Sequence, residues 1–403
     1  MKRLIHINII LVLGFALLST GCTKDFVEKN TNPNASTVAS PQSLLAPTLV
    51  SVINSNLSRN FRINNEFMQV TVTTSNSDAR QFHRYEVRPS ESDYMWRNWY
   101  IQLTNIRDMY NRAAQSQQAG YKTYQGISLI LDAWVSSLLT DTYGDVPYFE
   151  SNLGYQDQNI KPAFDKQQDI YQDIFRKLDL ANLLLKENID LPADQTFSDP
   201  IYGGKALGWR KFGNSLYLRL LLRVSRTGEL NADEKIVEMI DGNPANYPKF
   251  ENNDESAILR FSGVLPYQTE FHNYRPFDFN GDKGYSEFFI NNLLNLKDPR
   301  LPVWATEATL GVYGGMQSAY LRGASPDIES RLQLSLQSEP LLGNIMNYAE
   351  LQFVLAEVAL DGIIGGDPND FYKNGVKASI SLWGQEVTDD YFLNPAVSFE
   401  AAV

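Results

Sequence analysis

Residues 264 to 282 gather Tyr267, Glu270, His272, Asn273, Tyr274, Arg275, Asp278 and Asn280 in a stretch broken by Gly, Pro and Asn. That mixture suits recognition of an uncharged oligomer. Sugar rings offer apolar C–H faces that stack on Tyr and Trp, while amides, carboxylates and guanidinium groups hydrogen-bond the hydroxyls. A second stretch of the same kind is Asp93-Tyr94-Met95-Trp96-Arg97-Asn98-Trp99, from which Trp96 and Asn98 join Tyr267, His272, Asn273, Tyr274, Arg275 and Asp278 as candidate ligand-binding residues.

Each stretch has a structural alternative. Trp96 and Trp99 also fit core packing at helical spacing, with only one of them facing out. The 264–282 segment also fits an irregular layer sealing the helices beneath it. The same surface suits an extended peptide held through its backbone, with aromatics lining side-chain pockets, and the sequence does not separate peptide from glycan. Asp278, Asn280 and Asp282 place oxygen ligands at alternate positions, as a calcium loop would. Position six is Lys283 where glycine belongs and position twelve is Phe289 where a bidentate glutamate belongs, so a turn is the better reading and no cofactor is assigned.

Signals for catalysis are thin. Behind residue 21 the chain has His83 and His272 as its histidines and Cys22 as its one cysteine. It holds no Gly-x-Ser-x-Gly, His-Glu-x-x-His or phosphate-loop pattern. A hydrolase would need paired carboxylates, which so acidic a chain could supply. Arginines at 219, 223 and 226 invite an anion-site reading, but on a helix they are expected to pair with nearby carboxylates.

The elements that carry these residues read as helices. Trp96, Trp99, Tyr100, Leu103, Ile106 and Tyr110 step by three and four along 92–114, as do Ile127, Ile130, Leu131, Trp134, Leu138 and Leu139 along 122–141. Further helices are predicted over 167–186, 205–226, 232–241, 285–296, 347–361 and 369–383. The best strand candidate is Phe67 to Thr74, although Leu57 to Val70 reads equally well as one helix. Ala349, Phe353, Ala356 and Ala359 facing Tyr372, Gly375 and Ala378 let two antiparallel helices approach closely, as in tetratricopeptide hairpins. The fold class is therefore all-α, built of helical hairpins with an irregular, loop-rich insert.

The ends say where such a body sits. Lys2 and Arg3, an apolar run from Ile7 to Leu18 and small residues before Cys22 describe a secretory signal over 1–21. Residues 22–47, with Lys29-Asn30-Thr31-Asn32-Pro33-Asn34, read as a polar tether ahead of a folded domain over 48–403. Removing residues 1–21 leaves 33 basic side chains against 47 acidic ones, a net charge of −14. So negative a chain is a poor fit to nucleic acid or to anionic headgroups. No later stretch approaches the roughly 20 apolar residues of a bilayer span, so membrane attachment has to come through lipid on Cys22.

Asp141-Thr-Tyr-Gly-Asp-Val-Pro-Tyr148 closes the second long helix, with Gly144 free to take the left-handed angle and Pro147 forbidding resumption. Here the chain resembles the SusD/RagB family of nutrient-binding outer-membrane lipoproteins. The resemblance rests on Asp141, Tyr143, Gly144, Asp145, Pro147 and Tyr148, on the Cys22 start with Asn30 to Asn34, and on the Trp96, Tyr100, Leu103, Ile106 helix. It extends through Trp209 to Arg223, Asp298-Pro-Arg-Leu-Pro302 and Tyr348 to Glu357, in order along nearly the whole chain. One detail departs from the lipoprotein pattern: Ser19 stands three places before the cysteine, where a leucine is usual, with Leu18 a place earlier.

The resemblance implies tetratricopeptide-like hairpins, a lipid anchor on the exterior face of the outer membrane, a SusC-like TonB-dependent transporter as partner, and no chemistry on the ligand. It also implies more helix beyond Val403, and hence a truncated sequence. The function expected is capture of an oligomeric nutrient, oligosaccharide ahead of peptide, for delivery to that transporter. The rivals are a lipid-anchored helical glycoside hydrolase and a structural cap. On this reading Cys22→Ala leaves the fold intact and releases the protein from the membrane fraction; metabolic lipid labelling that persists in the variant refutes the anchor.

Overall fold

The computed structural model describes residues 39–75, 81–116, 119–154, 157–324 and 326–403. Cys22, the signal segment and most of the tether lie outside the described residues. The compact unit is Ser40–Val403. Its first helix, α1, runs over Pro41–Arg59, so 41–47 belong to the folded body and not to the tether. Pro41 sits in the first turn, where its missing N–H costs nothing, and Leu45, Leu49 and Val52 are buried. The chain continues through a π turn at Asn60–Asn64 and a short helical piece, Asn65–Phe67, before a strand β1 at Thr71–Thr73. Both readings of the 57–74 stretch thus hold in part: helix to Phe67, strand from Thr71.

The long helices follow where periodicity placed them. They are α2 Glu91–Ser116, α3 Tyr121–Tyr143, α4 Gln167–Leu185, α5 Ala206–Ser225 and α6 Ala232–Val237, the last extended by a π turn to Gly242. Then come α7 Glu287–Leu296, α8 Tyr348–Leu360 and α9 Pro368–Leu382. Successive helices pack as hairpins, α1 on α2, α2 on α3, α3 on α4 and α8 on α9. In the α8–α9 pair a Cβ built on Gly375 falls 2.8 Å from the Phe353 ring, so only glycine admits that approach. Side chains hold the helix starts: Asn347 accepts from the Glu350 N–H and Asp367 from the Asn369 N–H.

Strand structure is minor. β1 pairs antiparallel with β3 (Lys283–Tyr285), Thr71 opposite Tyr285, and β2 (Ala257–Leu259) pairs with β4 (Gly343–Met346). Each pair ties the irregular segment to the helices. The main core fills the helical body around Trp209, Phe212, Ile127 and Leu103; a second, smaller core of Phe271, Phe279, Tyr285, Ile290 and Leu332 lies within the insert.

At the centre of the hairpins is a buried carboxylate. Asp132 on α3 accepts from Arg107 Nε of α2 at 2.9 Å, from Lys177 Nζ of α4 at 2.5 Å and from Ser136 at 3.0 Å. Lys177 also donates to the Tyr148 hydroxyl, which donates to Asp173, both at 2.8 Å. Burial opposes charge on Asp132, but Lys177 and Arg107 outweigh it and hold the carboxyl far below its usual range. Its folded pKa being depressed, the stability it contributes is complete above about pH 4, the unfolded value, and is lost as pH falls toward the folded one. Asp132→Asn leaves two cations facing a neutral group and is expected to cost about 3–5 kcal/mol, read as a lowered urea midpoint at pH 7 whose gap from wild type narrows in acid.

Candidate functional site

The irregular 262–282 segment is laid along the end of α1. The Asn54 side chain accepts from the Glu270 N–H at 2.9 Å and donates to the Gln268 carbonyl at 3.1 Å. Seven residues on, Phe61 in the π turn packs against Phe271 and Phe279, with ring centroids 4.7 and 5.3 Å away. Gln337 donates to the Tyr274 carbonyl, and Arg331 to those of Asn280 and Gly281, all at 2.8 Å. With these inward contacts fixed, Asn273, Tyr274, Arg275, Phe277 and Asp278 are left on the surface. The segment is both things the sequence allowed: a sealing layer through its phenylalanines and an exposed rim through their neighbours.

The second stretch contributes a different residue from those picked for it. Trp96 is half-buried against Tyr100, Tyr143 and Phe164, with centroids 4.9, 5.2 and 6.4 Å away, and Asn98 donates to Ser55 of α1 at 3.3 Å. Trp99 is buried, its indole N–H on Asn56 at 2.9 Å. Tyr94 is the aromatic left outside. The Arg59 guanidinium lies 3.8 Å over its ring. Burial first, then the charges of Glu270, Tyr94 and Asp278, raise the Tyr274 phenol, so Tyr94 lies within electrostatic range of the 262–282 segment.

The remaining candidates divide. Tyr267 is half-buried against the main core and its backbone closes a short hairpin with Ser262, Gly263 and Val264. His272 is half-buried, with Nδ1 3.2 Å from the Ser338 hydroxyl. Arg275 forks onto Asp278 at 2.6 and 2.9 Å, and those hydrogen bonds lower the Asp278 carboxyl. Asn280 is buried and donates to the Leu332 carbonyl at 2.8 Å. With Asp278 tied to arginine and Asn280 turned inward, Asp278, Asn280 and Asp282 do not form a calcium donor set. No cluster of three or more His, Cys, Asp or Glu suited to a metal occurs among the described residues.

The Asp141–Tyr148 segment positions helices. Asp141 accepts from Tyr171 of α4 at 2.6 Å and pairs with Arg223 of α5. Tyr143 donates to the Ser92 carbonyl at 2.5 Å, and Tyr100 donates to that of Pro147 at 2.6 Å. Gly144, at φ +76°, turns the chain so that Asp145 reaches Lys166 and the Gln167 N–H at the start of α4. The α5 arginines are paired as expected: Arg219 with Glu350, Arg223 with Asp141, Arg226 with Glu357 and Asp361.

Beside the rim opens a cavity of about 700 Å³ between the end of α1, the segment 87–92 and the facing ends of α2 and α3. Met95, Trp99, Ile63 and Leu138 give it an apolar floor; Asn56, Asn60, Asn64, Arg59 and Glu91 give it polar edges. The sequence reading missed it, because Asn56, Asn60 and Asn64 look like the ordinary polar stripe of a surface helix.

The fold is thus a helical-hairpin body carrying an irregular aromatic segment. A family model described as "Starch-binding associating with outer membrane" matches residues 33–403, and the chain belongs to that SusD-like family. A chitin-binding SusD homolog from Flavobacterium johnsoniae is similar at 21% identity and TM-score 0.72, over 87% of this chain and 72% of that one. A SusD-like protein from Bacteroides thetaiotaomicron matches at 22% identity and TM-score 0.72, over 88% and 72%. A SusD homolog from Bacteroides fragilis matches at 21% and 0.69, over 90% and 77%. These likenesses establish the fold. No curated protein matches the sequence. No described helix is long and apolar enough to cross a membrane.

If the phenylalanine layer holds the rim, Phe279→Ala costs about 3–5 kcal/mol and opens residues 262–282 to proteolysis, whereas the exposed Phe277→Ala stays within about 0.5 kcal/mol. Thermal melts and limited proteolysis of both variants make the comparison.

Proposed function

We propose that the protein captures an oligosaccharide on the Tyr94–Tyr274 rim at the cell surface, anchored through lipid on Cys22, and passes it to a SusC-like TonB-dependent transporter. The observation that carries this reading is the stacking of Arg59 over the exposed Tyr94, within electrostatic range of the exposed Tyr274. It brings two exposed aromatic rings from separate segments together with Asn273, Glu270 and the Arg275–Asp278 pair, the combination of flat apolar faces and hydroxyl-binding groups that a sugar chain requires. The chitin-binding relative and the family's starch-binding description support a glycan over a peptide.

The hydrolase alternative finds its best carboxylates in Glu270, raised by burial, and Asp278, lowered by Arg275. A split of this kind resembles an acid and a base. Both Asp278 oxygens are engaged by one guanidinium, however, which makes Asp278 a poor base or nucleophile opposite Glu270. Binding without turnover is the outcome that geometry favours.

Isothermal titration against starch, chitin and other oligosaccharides, with peptides alongside, tests the reading. Tyr94→Ala and Tyr274→Ala should each weaken the best ligand by about three- to tenfold, the scale of one lost aromatic contact. Unchanged affinity in both variants, or release of shortened products by the wild type, refutes it.

A further inference from the structure

We infer that the 700 Å³ cavity beside the rim selects an anionic sugar, a uronic-acid unit of the captured chain. The inference rests on the oligosaccharide reading and adds the charge of the ligand to it. Three observations lead there.

The first is the charge of the walls. In a chain of net charge −12, the charged residues lining the cavity are Arg59, Arg88 and a single carboxylate, Glu91. Glu91 is shared, accepting from Arg59 at 2.9 Å and from Arg62 behind it at 3.2 Å. Arg88 is exposed and makes no ion pair among the described residues. The lining itself carries one net positive charge; with Asp93 counted as a flanking acid near Tyr143 the sum is neutral, and since Arg59 is paired with Glu91 the cation left without an ion pair among the described residues is Arg88. Guanidinium is the group best matched to a carboxylate, through its parallel donors.

The second is preorganisation. Arg59 is held between the Tyr94 ring, 3.8 Å away, and Glu91, so little rotamer freedom is left to lose on binding. It also belongs to both places, lining the cavity and stacking at the rim, which puts a chain lying across Tyr94 within reach of the opening.

The third is the π turn. The Asn65 N–H bonds to the Asn60 carbonyl five residues back, and the widened turn sets Asn60, Ile63 and Asn64 on the cavity wall. Such turns recur at functional sites. Asn64 donates to the Asn60 side-chain oxygen at 2.6 Å, leaving the Asn60 amide N–H groups and the Asn64 oxygen free to meet ring hydroxyls above the apolar floor.

The experiment uses the full chain and matched glycan pairs, each uronate-bearing oligosaccharide beside its carboxyl-reduced neutral form, titrated into wild type, Arg88→Gln and Tyr94→Ala/Tyr274→Ala. Expected is at least one pair in which the acid binds tenfold or more tightly, a preference that shrinks as salt rises and falls to about one in Arg88→Gln. If no acid is preferred, or the preference survives Arg88→Gln, the inference is overturned. Loss of all binding in the tyrosine variant with no acid preference in wild type overturns this inference while the rim reading stands. An acid preference that vanishes with Arg88 but ignores the tyrosines upholds the cavity and removes the rim. Absence of binding by every glycan overturns both.

Discussion

Asp132 is the constraint around which the helical body is arranged. A buried carboxylate is tolerated only when cations and donors surround it, and its partners are Arg107 of α2, Lys177 of α4 and Ser136 of its own helix. Arg107 of α2 and Lys177 of α4 can meet Asp132 in one rotational setting of each helix. Slipping either by one residue turns its cation by about 100° and strands a charge. The consequences reach the rim. Tyr94 precedes Arg107 by 13 positions, about 20 Å along a rigid helix, so the setting fixed at Arg107 also decides that Tyr94 faces outward while Met95 and Trp99 face in. The Asp141–Tyr148 segment serves the same arrangement from the far end of α3, which explains a motif full of carboxylates and phenols whose contact with the candidate residues is the packing of Tyr143 on Trp96.

The insert has its own version of that device. Glu66, just past the π turn, is buried and accepts from Lys283 Nζ of β3 at 2.9 Å, while the His83 N–H donates to it at 3.2 Å. Burial opposes its charge, yet its partners together hold the carboxyl below its usual range. This ion pair joins the end of α1 to the strand that follows the rim loop, and Phe61 packs against Phe271 and Phe279 from the same turn. One short piece of chain therefore bears the aromatic layer on one face and the cavity wall on another. A regular α-helix through 60–64 would rotate one of those faces away.

Much of this was legible in the sequence, because long amphipathic helices announce themselves by period and because arginines on α5 had carboxylates to meet. The tether was read too far because Pro41, Ser43, Pro47 and Thr48 look like loop composition; yet Pro41 is a helix start and Pro47 is accommodated inside α1. The sequence offers Trp96 or Trp99 as the outward ring and does not single out Tyr94. Helical spacing alone cannot say which flank of a half-buried helix meets a neighbour, and here Tyr143 and Phe164 cover the tryptophan. The cavity was invisible for a different reason. Its walls come from residues 56–67, 87–99 and 138–143, and a π turn breaks the periodicity that would have placed Asn60 and Asn64.

The distribution of rigidity fits capture better than turnover. Buried ion pairs add little net stability over apolar packing, but they penalise every arrangement except one. Here they fix the two bodies that present Tyr94 and Tyr274. A surface that holds a flexible ligand, as proposed for this rim, loses affinity for each side chain and loop it has to order on contact. Arg59 clamped by Tyr94 and Glu91, Arg275 clamped by Asp278, and a loop nailed down by Asn54 and Phe61 have already met that cost in the folding of the protein. On the proposed reading the Arg275 clamp also withdraws Asp278 as a base, since a carboxylate forked by arginine is a poor proton acceptor. Preorganised recognition and the engagement of Asp278 by Arg275 are thus, on the proposed reading, one structural choice seen from two sides.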